Sequence, residues 1–269
     1  MQRNNDFPSY SAKSPAFVVF MIDQTASMMN VSLGGGDRAE IAAINVQNAI
    51  IEILNRCISG INIKPRAYIS VIGYGGQVGE TAEIIREGWA NDWAEDIVKA
   101  KTNKECIFPI IANGAASMNE GFRLAEDLCN NWTFGRKDTE GMGSVIIINL
   151  TKGTTIDIED THKYAFKIMS QNALLYNIVI PAEGELKEDI LFPDYNPFDK
   201  DTSRNWIFDI SSLLPKDIVE TAKCQTGLVI SSKSRGLIVS PSYYSAARIC
   251  DLSLIIKGKP AFMDDQIIR

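Results

Sequence analysis

An aspartate and two hydroxyl side chains stand at alternate positions where a long apolar run ends. The run from Phe17 to Ile22 is followed by Asp23, Thr25 and Ser27. A buried strand that ends in this D-x-T-x-S pattern brings one carboxylate and two hydroxyl oxygens to one side of a loop. Hard divalent cations such as Mg²⁺ prefer oxygen ligands of this kind. The pattern therefore predicts a cation site, or the remains of one, after the first strand.

The elements that must position these side chains alternate along the chain. Short apolar runs recur between longer amphipathic segments, and this alternation predicts an α/β fold with a central, mostly parallel sheet and helices on both faces. After the first strand, the predicted strands cover 67–73, 82–85, 106–111, 145–150, 173–180 and 206–210. The predicted helices cover 37–59, 160–171, 215–224 and 240–252, and a further helix follows Ser117. Two of these helices begin with capping boxes, D-R-A-E at 37–40 and S-M-N-E at 117–120.

The composition limits the classes of function. The chain has 269 residues, of which 45% are hydrophobic, and this is enough for one α/β domain with elaborations. Its net charge is -6 and its Lys and Arg residues are scattered, so we expect no nucleic-acid partner. No apolar run approaches the roughly 18 to 20 residues of a spanning helix, and the polar residues 1–15 contain no signal-peptide core. We therefore expect no membrane contact and a cytoplasmic location.

The sequence lacks motifs for catalysis and for zinc binding. Its five cysteines are odd in number and far apart, which indicates free thiols in a reducing compartment, and zinc would need more than the single His162. The glycine loops at 34–36 and 73–79 lack the G-K-[ST] of a phosphate-binding loop, and no G-x-S-x-G motif accompanies the histidine. We predict no catalytic residue and no cofactor. A nucleotide-dependent enzyme that uses the glycine loops is the alternative.

The chain divides into three parts by composition. A polar segment covers 1–15, one domain covers 16–256, and a tail covers 257–269. Within the domain, the charged and proline-bearing stretch 183–204 is too interrupted to form an element of its own, and we expect an inserted acidic loop. Tyr195 and Phe198 stand among its acids, and both a solvated loop and a partner-binding loop stay open.

Three segments of the chain resemble the von Willebrand factor A (vWA) family. The D-x-T-x-S residues are similar to the D-x-S-x-S of the family's metal-ion-dependent adhesion site (MIDAS), the L-T-K-G at 150–153 resembles the family's L-T-D-G, and 112–124 resembles its G-G-T loop with the helix that follows. The resemblance implies a Rossmann-like fold whose binding face lies at the carboxyl ends of the strands. Segments 191–193, 208–215 and 236–240 are similar to a bacterial vWA branch of the tellurite-resistance type.

The chain departs from the family pattern at two ligand positions. Ala116 stands where the family has a threonine that ligates the ion, and a shift by one residue would offer Ser117, which is also the expected N-cap of the next helix. Lys152 stands where the family has its second aspartate. A positive charge ~5 Å from a divalent ion costs about 6 kcal/mol at an effective dielectric of ~20, and this is an upper bound because the long lysine stem can move the charge away. We therefore expect a degenerate MIDAS in which the Lys152 ammonium lies near Asp23 in place of the ion.

Two other interpretations of these residues stay open. In the first, Lys152 is solvated and Asp23 caps a turn with Thr25 and Ser27. In the second, the same aspartate and hydroxyls hold Mg²⁺, and the chain is a metal-dependent vWA switch. A titration with Mg²⁺ and Mn²⁺ distinguishes the second from the others.

The resemblance implies a non-enzymatic module for protein–protein interaction. It further implies a bacterial multiprotein system, in stress response or phage defence, with a kinase, a phosphatase or a defence effector as the partner. We expect Asp23, Ser27, Ser117 and Lys152 to form the partner-binding surface, where the lysine would meet an acidic residue of the partner directly.

Overall fold

A seven-stranded sheet forms the centre of the protein. The computed structural model describes residues 11, 14–29, 37–76, 82–115, 118–134, 143–182, 185, 188–226 and 229–253. The strands are β1 (Ala16–Asp23), β2 (Ile58–Ser59), β3 (Asn62–Ile63), β4 (Ala67–Tyr74), β5 (Glu83–Trp89), β6 (Val145–Thr151), β7 (Leu174–Val179), β8 (Ile190–Leu191) and β9 (Leu237–Val239). The helices are α1 (Arg38–Cys57), α2 (Ala94–Asn103), α3 (Met118–Phe134), α4 (Ile158–Ser170), α5 (Trp206–Asp209), α6 (Lys216–Thr226) and α7 (Ser245–Ser253). Short 3-10 turns cover Ala26–Met29 and Ala90–Trp93.

The strand order places the first strand at the middle of the sheet. The order is β5-β4-β1-β6-β7-β9-β8, with β2 and β3 paired in a separate hairpin. The five central strands pair in parallel, and the edge strands β5 and β8 pair antiparallel to their neighbours. The chain crosses from one side of β1 to the other, and ligands of open parallel sheets bind at such a switch point, outside the carboxyl ends of the strands. The predicted α/β fold with a mostly parallel sheet is confirmed.

Strand β1 shows why the apolar runs form central strands. All eight of its residues are buried, and alternate side chains enter different cores because successive residues of a strand point to opposite faces. Val18 and Phe20 pack in a core with helices α1, α6 and α7. Val19 and Met21 pack in a second core with α3, α4 and α5. The sheet is therefore covered on both faces, and its functional groups are left at the strand ends.

Two predicted strands are wrong. Residues 106–111 form no strand, because the Ile107 N–H donates to the side-chain oxygen of Gln47 in α1 at 2.8 Å and is not available to a sheet. Residues 206–210 form the short helix α5, which the Trp206 indole N–H anchors by donating to the Ser203 carbonyl at 2.8 Å. Short apolar runs fit both a strand and a buried helical turn, so the pattern alone did not separate them.

One predicted helix start, one predicted capping box and the predicted absence of an element in 183–204 also differ from the structure. The last helix begins at Ser245, because the Ser240 side chain accepts the Ser242 N–H at 3.0 Å in a turn that precedes it. Asp37 is the N-cap of α1, but its side chain makes no capping hydrogen bond. The stretch 183–204 does contain an element, because β8 pairs with β9 and Phe198 is buried. None of the described helices is long and apolar enough to cross a membrane.

Candidate functional site

The D-x-T-x-S residues lie at the carboxyl end of the central strand, as predicted. Strand β1 ends at Asp23, which is only 1% exposed, and Thr25 forms a bridge to Gly114 in the loop before α3. A Cβ added at Gly114 would overlap the Gly75 carbonyl oxygen, so these two loops meet backbone to backbone. The predicted site residue Ser117 and its neighbour Ala116 lie outside the described residues.

Both carboxylate oxygens of Asp23 already accept hydrogen bonds from the protein. Oδ1 accepts the Thr25 backbone N–H at 3.0 Å, and Oδ2 accepts the Thr151 hydroxyl at 2.8 Å. The Thr25 and Ser27 hydroxyl oxygens lie 2.8 Å apart and are hydrogen-bonded to each other. Burial raises the pKa of Asp23, while the bonds from Thr25 and Thr151 and the charge of Lys152 act in the opposite direction. The carboxylate therefore has a structural role that closes the ends of β1 and β6.

Lys152 lies beside this arrangement without joining it. The side chain is half-buried, and among the ion pairs of the described residues none joins Lys152 to Asp23 within 4.0 Å. The charge of Lys152 affects the pKa of Asp23 less than burial and the hydrogen bonds from Thr25 and Thr151 do. The direct partner of the carboxylate is thus the hydroxyl of the preceding residue, Thr151, and this contact was not predicted.

The donor set fits a resident divalent cation poorly. The site offers one carboxylate, whose oxygens are both engaged, and two hydroxyls that bond to each other. The sequence places a methyl group at 116 and an ammonium at 152, where the family pattern has ligands. The described residues contain no group of three or more His, Cys, Asp or Glu side chains that could hold a metal ion. Six to eight oxygen ligands, which Ca²⁺ takes, or an octahedral set for Mg²⁺ would have to come largely from water.

A charged cavity of about 250 Å³ opens next to the D-x-T-x-S loop. Its charged lining residues are Arg38, Lys152, Glu185, Asp201 and Arg204. Arg38 connects the cavity to the loop, because its Nη1 donates to the Ser27 carbonyl at 3.1 Å. Three cations from distant parts of the chain thus meet at the carboxyl edge of the sheet.

The wall formed by Arg204 is held by several contacts. Its Nε donates to Asp201 at 2.6 Å, its Nη1 donates to Glu185 at 3.2 Å, and its guanidinium lies 4.9 Å from the centre of the Phe198 ring. Gly153 adopts φ of +93°, and a Cβ there would lie 3.2 Å from the Arg204 Cδ, so glycine allows the close approach of this arginine. Residues 185, 201, 203 and 204 of the stretch 183–204 are therefore part of the site.

Buried polar side chains form a ladder beneath the site. The Tyr74 hydroxyl donates to Asn149 Oδ1 at 2.9 Å, Asn149 Nδ2 donates to Asn177 Oδ1 at 2.9 Å, and Asn177 Nδ2 donates to Ser211 Oγ at 3.0 Å. Both asparagines are fully buried. A ladder in which each member is paired holds strands β4, β6 and β7 in a fixed register below the cavity.

Sequence reasoning missed Arg38, Glu185 and Arg204. One signal for Arg38 was available, since a cation at the first residue of a helix opposes the helix dipole and so calls for an explanation. Asn149 and Asn177 also gave a signal, because each interrupts an apolar strand in the sequence. Glu185 and Arg204 lie near the two ends of the acidic loop, and nothing in their local sequence shows that they meet.

Comparison with known proteins defines the fold and leaves the family open. No protein-family model matches the chain, and no curated protein matches it. Among solved structures, the pilus adhesin SpaC from Lactobacillus rhamnosus GG matches with a TM-score of 0.52 and 11% identity, over 88% of this chain and 30% of that one. The manganese-loaded TRAP protein of Plasmodium vivax matches with a TM-score of 0.43 and 14% identity, over 65% and 61%. Proximal thread matrix protein 1 from the mussel byssus matches with 0.48 and 8%, over 91% and 49%.

These neighbours bear on the architecture. The chain spans less than two thirds of the length of each, and the identities are low, so the likeness to SpaC shows a shared fold. The protein has a vWA-like fold.

Proposed function

We propose that the chain is a non-enzymatic protein-binding module whose binding face lies at the carboxyl ends of β1, β4 and β6. The observation that carries this proposal is the charged cavity at that edge, next to a D-x-T-x-S loop whose aspartate and two hydroxyls are hydrogen-bonded within the protein. A vWA-like fold and an adhesin among its structural neighbours support an interaction role. The resemblance to the tellurite-resistance branch supports a cytoplasmic place in a bacterial stress-response or phage-defence system, with a kinase, phosphatase or effector as partner.

The chemistry of the described residues supports a role without catalysis. Burial raises the pKa of Cys57 to about 11 and that of Cys129 to about 12, so these thiols stay protonated and unreactive at neutral pH. The single histidine, His162, packs against the rings of Phe166 and Trp206 and does not line the cavity. The residues that do line it supply charge and hydrogen bonds, which suit recognition.

A matched pair of exposed apolar residues tests which face binds the partner. Met29 follows the D-x-T-x-S loop and is 59% exposed, whereas Ile61 lies in the β2–β3 turn at the opposite end of the sheet and is fully exposed. Proteins captured by the full chain from its host would be purified, and their affinities measured by calorimetry for wild type, Met29→Glu and Ile61→Glu. We expect Met29→Glu to weaken binding about tenfold or more and Ile61→Glu to leave it unchanged.

Two results would contradict this proposal. The first is the absence of any purified protein that binds the wild-type chain with a defined stoichiometry. The second is a loss of binding in Ile61→Glu while Met29→Glu binds normally. Binding should also persist with a chelator present, because the proposed face uses charged side chains in place of an ion.

A further inference from the structure

We propose that the cavity binds a single carboxylate side chain of the protein partner, and that Glu185 occupies this position in the free chain. The proposal rests on the protein-binding function above and assigns the chemistry of its central contact. Glu185 would act as an internal substitute that the partner's acid displaces from Arg38 and Arg204.

The charged residues that line the cavity favour an anion at the position of Glu185. Three cations line it, Arg38, Lys152 and Arg204, against the two acids Glu185 and Asp201. Asp23 is not a lining residue, and its oxygens are engaged at the sheet edge. When Glu185 turns outward, the cavity retains three cations and one acid, and an incoming carboxylate restores the balance that Glu185 provided.

Arg38 is the most buried of the three cations, and several of its donors are unused. It is only 6% exposed, its Nε has no hydrogen-bond partner, and its Nη2 lies 3.9 Å from Glu185, which is beyond hydrogen-bonding distance. The one hydrogen bond that the described residues give this guanidinium runs from Nη1 to the Ser27 carbonyl. A buried guanidinium with unused donors is costly, and a carboxylate that approaches its Nε and Nη2 edge can accept two parallel bonds. The present contact with Glu185 does not reach that geometry.

Glu185 is held loosely enough to be displaced. Its side chain is 38% exposed, and besides Arg204 at 3.2 Å it accepts the Ala182 backbone N–H at 2.7 Å. Both of these bonds are near the surface, where water can replace them at little cost. An acid from a partner would exchange these bonds for paired contacts with the buried arginine.

The size of the cavity favours a side chain over a larger ligand. Its volume of about 250 Å³ is below the roughly 300 to 1,000 Å³ of typical small-molecule sites. One carboxylate with part of its stem fits this space. Inorganic phosphate shares the charge and the hydrogen-bonding capacity, so the experiment must separate it from a carboxylate.

The Trp206 indole offers a local reporter for the experiment. Its N–H donates to the Ser203 carbonyl at 2.8 Å, and Ser203 lines the cavity. The nitrogen-15 NMR signal of this indole would be followed while the full chain is titrated with a capped peptide that has one glutamate among glycines. The same peptide with glutamine, and inorganic phosphate, serve as the two comparison ligands.

Variants in the cavity are compared with control variants that change the net charge by the same amount elsewhere on the surface. Glu185→Gln should bind the glutamate peptide about tenfold more tightly than wild type, because the internal competitor is weakened. Arg38→Met should bind the glutamate peptide about tenfold or more weakly. If Arg38→Met fails to fold, Arg204→Met tests the loss of an arginine–carboxylate contact at a residue that is less buried. Lys216→Met and Glu220→Gln, at an exposed pair on α6, should bind as wild type does.

Three results would overturn the proposal. They are an unchanged or weaker affinity in Glu185→Gln, equal binding of the glutamine peptide, and binding of phosphate without binding of the glutamate peptide. The outcome is separable from that of the proposed function. If a purified partner is sensitive to Met29→Glu but unaffected by Glu185→Gln and Arg38→Met, the binding face stands and the carboxylate site falls. If the peptide behaves as expected and no protein partner exists, the carboxylate site stands and the protein-binding role falls.

Discussion

Replacing Asp23 by asparagine tests whether the fold needs the charge of this residue or only its shape. Asparagine keeps an oxygen that can accept the Thr25 N–H, and its amide nitrogen can donate to the Thr151 oxygen, so both connections survive with the charge removed. Because burial raises the pKa of Asp23, the folded state disfavours the ionised carboxylate. We expect Asp23→Asn to be at least as stable as wild type at neutral pH.

Alanine at the same position supplies the contrast. It leaves the Thr25 N–H and the Thr151 hydroxyl without their acceptor, and these residues are 4% and 0% exposed, so water cannot replace it. The Thr25 N–H keeps its acceptor in Asp23→Asn and loses it in Asp23→Ala, which costs about 1 to 3 kcal/mol, and the amide bond to the Thr151 oxygen contributes about 1 kcal/mol more, so Asp23→Ala should be less stable than Asp23→Asn by about 2 to 4 kcal/mol. The difference measures the two hydrogen bonds with the charge removed from both variants.

The pH dependence of the asparagine comparison has a defined sign. The pKa of Asp23 in the folded state lies above the ordinary value of 3.8. The contribution of this group to stability is therefore fully present below the unfolded-state pKa and is lost as the pH rises through the folded-state pKa. Wild type should lose stability relative to Asp23→Asn over that window, at no more than about 1.4 kcal/mol per pH unit.

Urea unfolding of the three proteins from acidic to neutral pH, with a chelator and with added Mg²⁺ or Mn²⁺, checks this reasoning. Two results would refute it. One is an Asp23→Asn variant as unstable at neutral pH as Asp23→Ala. The other is a wild type that Mg²⁺ or Mn²⁺ stabilises at micromolar concentration while Asp23→Asn is unaffected, because the negative charge would then serve a bound cation.

Three further predictions follow from the site. Lys152→Asp combined with Ala116→Thr should create Mg²⁺ affinity that calorimetry detects, and no heat of binding in the double variant would contradict the degenerate-MIDAS interpretation. Tyr74→Phe should lower the free energy of unfolding by about 1 to 2 kcal/mol, because a buried asparagine oxygen loses its donor, and unfolding at the wild-type urea midpoint would count against the ladder. Gly114→Ala should cost about 1 to 3 kcal/mol or more through overlap with the facing loop, whereas Gly76→Ala, where the nearest atom is 3.5 Å away, should cost less, and equal losses would contradict the close approach of the loops.

Long apolar runs predicted their elements well because burial on both faces leaves little choice. The prediction of 145–150 matches strand β6 to within one residue, and 173–180 matches β7 to within one residue at each end. The run at 206–210 failed because a few apolar residues between polar ones satisfy both a strand and a helical turn, and the deciding contact is the bond from the Trp206 indole to Ser203. Local pattern therefore predicted the centre of the sheet better than its surroundings.

In the candidate site, too, residues from one segment could be predicted from the sequence, whereas contacts between distant segments could not. Asp23, Thr25 and Ser27 could be predicted because one strand end supplies all three. The sequence predicted Lys152 as the neighbour of the Asp23 carboxylate, and the structure shows a hydrogen bond from Thr151, one residue earlier. Neighbouring residues of an extended chain point to opposite sides, so a single position decides which side chain faces Asp23. The meeting of Arg38 with Glu185 joins residues far apart in sequence, which no local pattern encodes.

The buried ladder links the two halves of the site. Ser211 accepts from Asn177 and donates to the Ile207 carbonyl at 2.8 Å, so the ladder ends on helix α5, directly after the segment that includes Asp201 and Arg204. The cavity wall that Asp201 and Arg204 form is thus connected by hydrogen bonds to the carboxyl ends of β6 and β7. Strand β6 also carries Thr151. A wall fixed in this way loses little conformational freedom when a ligand binds, and most of the rearrangement falls on Glu185. A fixed Arg204 beside a displaceable Glu185 suits a cavity that exchanges an internal carboxylate for an external one.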